Sequence, residues 1–137
     1  MRKITVTAES EALLPEGTHY AVIETVEDYK GSTGKKSLHW VFAVRAEGFP
    51  EYRAECWTSI EPGPQKQYKL RLFLKALELP HTGELTPDLD EIEGKACQIR
   101  VSHQVFRDEM KVQVDEIVGP ATMEQVEEAY SDPFAGC

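Results

Sequence analysis

Five strand-like runs, with one helical stripe set between the third and the fourth, leave this chain few folds to choose from. Stretches rich in Val, Ile, Thr, Tyr, Phe and Trp, the composition of strands, cover Thr18–Tyr29, Leu38–Arg45 and Tyr52–Ile60. From Gln65 the apolar period changes from two to about 3.6. Leu70, Phe73, Leu74 and Leu77 then share one face, with Lys66, Lys69, Arg71 and Lys75 off it. That spacing predicts a helix from Pro64 to Glu78, ended before Pro80, because proline lacks the N–H a helix interior needs.

Turn signals punctuate the rest. Pro15-Glu16-Gly17 opens the first strand, and Gly48-Phe49-Pro50 folds the second and third into a hairpin. A loop with two glycines and three lysines, residues 30–36, joins the first two strands. After an acidic loop from His81 to Gly94, with room for one helical turn, come strands Lys95–Val105 and Met110–Val118 around a tight Arg107-Asp108-Glu109 turn. In the lead-in, Ile4 and Val6 alternate with polar residues as a short edge strand would. No internal repeat occurs. Five strands with a single helix between strands 3 and 4 is the order of an OB-fold, a mainly β, five-stranded Greek-key barrel that holds oligonucleotides on one face. The reading is therefore a nucleic-acid-binding OB domain over residues 1–118 and an acidic, flexible C-terminal tail over residues 119–137. Within that tail Met123–Tyr130 has the pattern of a short acidic helix, whereas Ser131–Cys137 lacks the apolar density to order itself.

Charge restricts the kind of binding. The chain has 15 Lys and Arg against 24 Asp and Glu, a formal charge of −9, and no basic residue follows Lys111. Four acids lie beyond residue 118, so residues 1–118 still carry −5. An indiscriminate polyanion binder would be broadly basic, so a nucleic-acid site here must be a local patch. The three cysteines, Cys56, Cys97 and Cys137, form no CxxC. Cys56 and Cys97 read as small buried hydrophobes, and such usage fits a reducing cytoplasm. Met1–Leu14 has no continuous apolar stretch of the kind a signal peptide needs, and no run approaches membrane-spanning length.

Catalytic and metal signatures are missing. Gly31–Gly34 lacks the spacing of a Walker A loop or a dinucleotide fingerprint. His19, His39, His81 and His103 are scattered, and Asp88–Glu93 does not match an EF-hand loop. Neither GxSxG nor HExxH occurs. The expectation is no enzyme, no metal and no cofactor.

Strand alternation supplies binding candidates instead. Leu38, Trp40, Phe42 and Val44 form an all-apolar face, so Trp40 and Phe42 belong to the core and His39 and Arg45 to the outside. In the third strand, Tyr52, Ala54, Cys56, Thr58 and Ile60 read as interior, which turns Arg53, Glu55, Trp57 and Ser59 outward. Trp57 then offers a stacking surface beside Arg53; packing beneath the helix or the lead-in is the alternative. Tyr29, Lys30, Lys35 and Lys36 sit between strands 1 and 2, and Phe106, Arg107 and Lys111 between strands 4 and 5. Those are the two loops that flank the ligand face of an OB-fold. Tyr29, Lys30, Lys35, Lys36, Arg53, Trp57, Phe106, Arg107 and Lys111 are thus the candidate nucleic-acid-binding residues.

A further pattern runs through the strand that opens at Pro15-Glu16-Gly17-Thr18-His19-Tyr20-Ala21-Val22-Ile23, the Gly34-Lys35-Lys36 lead into a hairpin, the helical run Leu72 to Leu77 and Ile92-Glu93-Gly94-Lys95 before a strand. Over Pro15 to Val118 the chain resembles phage-encoded single-stranded-DNA-binding proteins with an OB-fold. The resemblance implies sequence-tolerant binding of single strands in phage replication or recombination, without metal or cofactor, in the host cytoplasm. The acidic body predicts modest affinity per domain, with self-association or cooperative coating supplying avidity. The resemblance also implies that Asp132, Pro133 and Phe134 dock onto replication or recombination partners, as the acidic tails of bacterial single-strand binders do. Here Ala135-Gly136-Cys137 extends past Phe134, where those tails end. An acidic tail can also compete with DNA for a cationic groove, in which case deleting residues 120–137 tightens DNA binding at low salt. The alternative function is an adaptor whose acidic surface binds a basic protein or mimics nucleic acid.

Overall fold

In a computed structural model of the chain, residues 13–46, 48, 49, 52–63 and 65–131 are described. Five antiparallel strands form one sheet: β1 (Gly17–Lys30), β2 (Lys36–Arg45), β3 (Arg53–Ser59), β4 (Ala96–Phe106) and β5 (Glu109–Pro120), in the order β3-β2-β1-β4-β5. The two edges, β3 and β5, curl back towards each other. Helix α1 (Tyr68–Ala76) lies across β5 and β3, and a short α2 (Leu89–Ile92) follows it. The predicted order of strands and the single long helix between β3 and β4 are both present. The Ile4–Val6 edge strand lies outside the described residues.

The pattern of apolar residues sets which side of the sheet is inside. Trp40, Phe42 and Val44 are fully buried, and Ala54, Cys56 and Thr58 face them from β3. Leu70, Phe73, Leu74 and Leu77 of the α1 region are buried against this surface. Phe73 meets Trp40 edge-on at 5.0 Å and Phe42 at 6.4 Å. The indole Nε1 of Trp40 donates to Thr58 Oγ1 at 2.9 Å, which removes the cost of burying two unpaired polar groups. Among the described residues no buried side-chain nitrogen or oxygen lacks a partner. Lys69 donates from Nζ to the Val114 carbonyl at 3.1 Å, tying α1 to β5. Glu78, at φ 65°, takes the left-handed conformation that ends the helix ahead of Pro80.

A bulge between Ile23 and Thr25 bends β1. Past it, β4 no longer pairs with β1, and the Val26 N–H is taken by Glu93 Oε2 at 2.9 Å. The β4–β5 hairpin turns on Arg107 (φ 53°) and Asp108 (φ 67°), the left-handed pair that a two-residue turn requires.

Burial pushes the thiols of Cys56 and Cys97 up to about 12. Because the thiolate is the reactive form, both should resist iodoacetamide at pH 8 in the native protein and alkylate fully in denaturant, read by peptide mass mapping. Native labelling of either would show that its strand opens.

The C-terminal segment departs from the expectation of a flexible tail beginning at residue 119. Strand β5 continues through Gly119 to Pro120, and Met123–Ser131 form helix α3 against β1, β2 and β4. The reason lies on the outer side of the sheet. Val22 is paired with Ala43 and with Ala96, so the three share that outer face. Ala43 and Ala96 are nevertheless buried, as is Val126 of α3, and none of these three belongs to the main core. A small second core therefore holds the helix, so Val126→Ala should lower unfolding stability by about 1–2 kcal/mol in a urea titration. An unchanged midpoint would mean that α3 contributes no packing. Asp132, Pro133 and Phe134 lie outside the described residues. No helix among the described residues is long and apolar enough to cross a membrane.

Candidate nucleic-acid interface

The other half of the outer face carries the exposed aromatic residues. Cross-strand pairing aligns Glu27 with His39 and His39 with Trp57, and one step further Tyr29 with Ser37 and Ser37 with Ser59. Partners in register point to the same side of a sheet. The imidazole of His39 therefore stacks on the Trp57 indole, with centroids 4.6 Å apart and planes 18° apart. Tyr29 meets the indole edge-on at 6.1 Å and the imidazole at 6.3 Å. The three rings form a ladder across β1, β2 and β3. Trp57 is 47% exposed and Tyr29 equally so, so Trp57 points outward and is not packed beneath α1; most of the lead-in, the other cover considered for it, lies outside the described residues. Trp40, its neighbour in the hairpin, is wholly inside.

Cations gather at the Tyr29 end. Lys30, Lys35 and Lys36 are all exposed, and Lys30 and Lys36 line a recess of about 330 Å³ with Asp28, Tyr29, Ser37 and Ile60. Across the gap between β3 and β5, Lys111 lines a groove of about 440 Å³ together with Trp57. Its ammonium also lies 3.3 Å from Glu109 Oε1 in an exposed pair, which costs little to give up.

Arg53 is placed differently from the expectation of a phosphate ligand. Its Nε and Nη2 donate to the two carboxylate oxygens of Glu24 at 2.9 and 2.8 Å. The bulge turns Glu24 out towards it. The Arg53 hydrogen bond holds the Glu24 carboxyl below its ordinary 4.5, with partial burial opposing and the charges of Arg53 and Arg45 adding to the lowering. The pairing therefore contributes fully above pH 4.5 and is lost as pH falls through the lowered value. Among the described residues, Phe106 and Arg107 make no ring contact with the ladder. They cap the far tip of the β4–β5 hairpin, with the Arg107 guanidinium 5.2 Å from the Phe106 ring centroid.

Two contributors were not among the expected site residues. His39 was placed on the outer face, but its stacking on Trp57 depends on the hairpin register, which is symmetric about Gly48. The acidic members, Glu24, Glu27 and Glu55, are the second. His39 Nε2 lies 2.9 Å from Glu55 Oε1, so one ring joins an aromatic ladder to a carboxylate. Among the described residues no group of three His, Cys, Asp or Glu is set to hold a metal ion.

No protein-family model matches this chain, and no curated protein matches it in sequence.

Proposed function

We propose that this chain is a non-enzymatic, sequence-tolerant single-stranded-DNA-binding protein. The observation that carries the reading is the half-exposed Trp57 indole in a ladder with His39 and Tyr29, beside a lysine-bearing loop. Each base stacked on such a ring contributes ~1–3 kcal/mol. The strand order, the approach of β3 to β5 and the helix between β3 and β4 support a partly open OB barrel, whose ligands lie across this face. Phosphates would run past Lys30, Lys35 and Lys36 at one end and Lys111 at the other. Duplex DNA hides its base faces and gains only the phosphate contacts. A role in phage replication or recombination is part of the proposal and is supported by the sequence resemblance alone.

The carboxylates among the aromatic rings temper the affinity. Replacing Glu24 by Gln removes one negative charge from the face and loosens the hold on Arg53. Binding of a thymidine oligomer should tighten by about two- to fivefold at low salt and by less at high salt. Equal affinity at both salts would remove Glu24 from the interface.

The deciding experiment is a tryptophan-fluorescence titration with a thymidine oligomer, run beside duplex of equal length at two salt concentrations. Quenching by the single strand, little change with duplex and a salt slope of roughly −0.7 per phosphate contact support the proposal. No binding at low salt overturns it. The intermixed Glu24, Glu27 and Glu55 then favour the second reading, an adaptor for a basic protein.

A further inference from the structure

The Trp57 indole has two faces, and their surroundings differ. His39 covers one of them from β2 at 4.6 Å, nearly parallel, while Tyr29 touches only the edge. In the sheet, β2 lies on one side of β3, and the unpaired seam towards β5 lies on the other. A ring covered from the β2 side turns its remaining face to the seam. That seam is the groove of about 440 Å³ lined by Trp57 and its β3 neighbours on one side, by Met110, Lys111 and Val112 of β5 on the other, and by Leu13 from the segment ahead of β1.

The opposite wall is also unusual. Met110 is 50% exposed and pairs across the hairpin with Val105, which is 67% exposed. Neither side chain belongs to the core. A thioether is flexible and polarizable and makes favourable contacts with flat π-systems. A half-exposed indole on one wall, a half-exposed methionine on the other and a primary ammonium in the same groove suit one kind of occupant: a flat ring that carries an anion. In a single strand that is a base with its phosphate.

Resting on the reading of the chain as a single-strand binder, we infer that the β3–β5 seam is a slot for one unstacked base, held between Trp57 and Met110, with Lys111 on the adjoining phosphate. Glu55 also lines the groove, and its Oε1 is occupied by His39. The slot explains why a strand must be single to bind: a base can enter the seam only after it has left its own stack.

Affinity is best followed by anisotropy of a labelled thymidine oligomer, which does not depend on either tryptophan. Met110→Ala should weaken binding about fivefold, and Met110→Leu, which keeps the volume, should restore most of it. In a Trp57→Ala background Met110→Ala should have no further effect, because both residues act through the same base. An oligomer of abasic residues should bind wild type and Met110→Ala alike. If wild type binds the thymidine oligomer but Met110→Ala binds it equally well, or the two substitutions add, the slot is overturned and single-strand binding stands. If wild type binds no oligomer at low salt, both fall together.

Discussion

Replacing Trp40 by alanine is expected to take away about 3–5 kcal/mol of unfolding stability, enough to bring a domain of ordinary stability close to unfolding. Three features make the loss large. The indole is completely buried, it lies parallel to Phe42 at 6.1 Å, and it receives the edge of Phe73 from α1. Its removal also strands the Thr58 hydroxyl, which is 1% exposed and accepts from Nε1 at 2.9 Å. Thr58→Val removes the same hydrogen bond from the other side, leaves the buried indole N–H unpaired and should cost about 1–3 kcal/mol. Urea denaturation followed by circular dichroism measures both. A Trp40→Ala midpoint near that of wild type would mean that α1 does not rest on the sheet as described.

The same substitution at Trp57 should have the opposite profile. With 47% of the residue exposed, Trp57→Ala should leave the urea midpoint within about 1 kcal/mol, as surface changes do. Binding of a thymidine oligomer should weaken by ~1–3 kcal/mol, roughly 5- to 150-fold. His39→Ala should lose less, because that ring supports the indole from behind and exposes little of itself to a ligand. An unfolded Trp57→Ala protein would put the indole in the core after all; a folded one that binds as wild type does would remove it from the interface.

Much of this contrast was legible in the sequence. Alternation from Leu38 to Val44 and from Tyr52 to Ile60 assigns Trp40 inward and Trp57 outward, because a residue's face in a strand depends only on parity. The α1 stripe was readable for the same reason, at the other period. What alternation cannot supply is register. His39 meets Trp57 because the β2–β3 hairpin turns about Gly48, and Glu24 meets Arg53 because one residue is bulged out of β1. Bulges and turn centres depend on hydrogen bonding between strands, which a one-dimensional pattern does not contain. The docking of α3 was hidden differently. Glu124, Glu127 and Glu128 make the helix read as a solvated acidic segment, and Val126 gains meaning only once Ala43 and Ala96 are seen to need a cover. The lysines show the limit of composition: Lys30 and Lys36 share a recess with Tyr29, yet their sequence neighbourhood would be the same around an ordinary flexible turn.

The way α3 is held has a consequence for motion. Val126 is the buried side chain among those described in this helix, whereas the strands beneath are held along their length by paired backbones and a core of interlocked rings. The free energy needed to lift α3 is therefore a small part of that needed to unfold the sheet. Its amides should exchange with deuterium through a local opening, well before those of β1 and β2. Each such opening lays bare Val22, Ala43 and Ala96, a short apolar strip on the outer face.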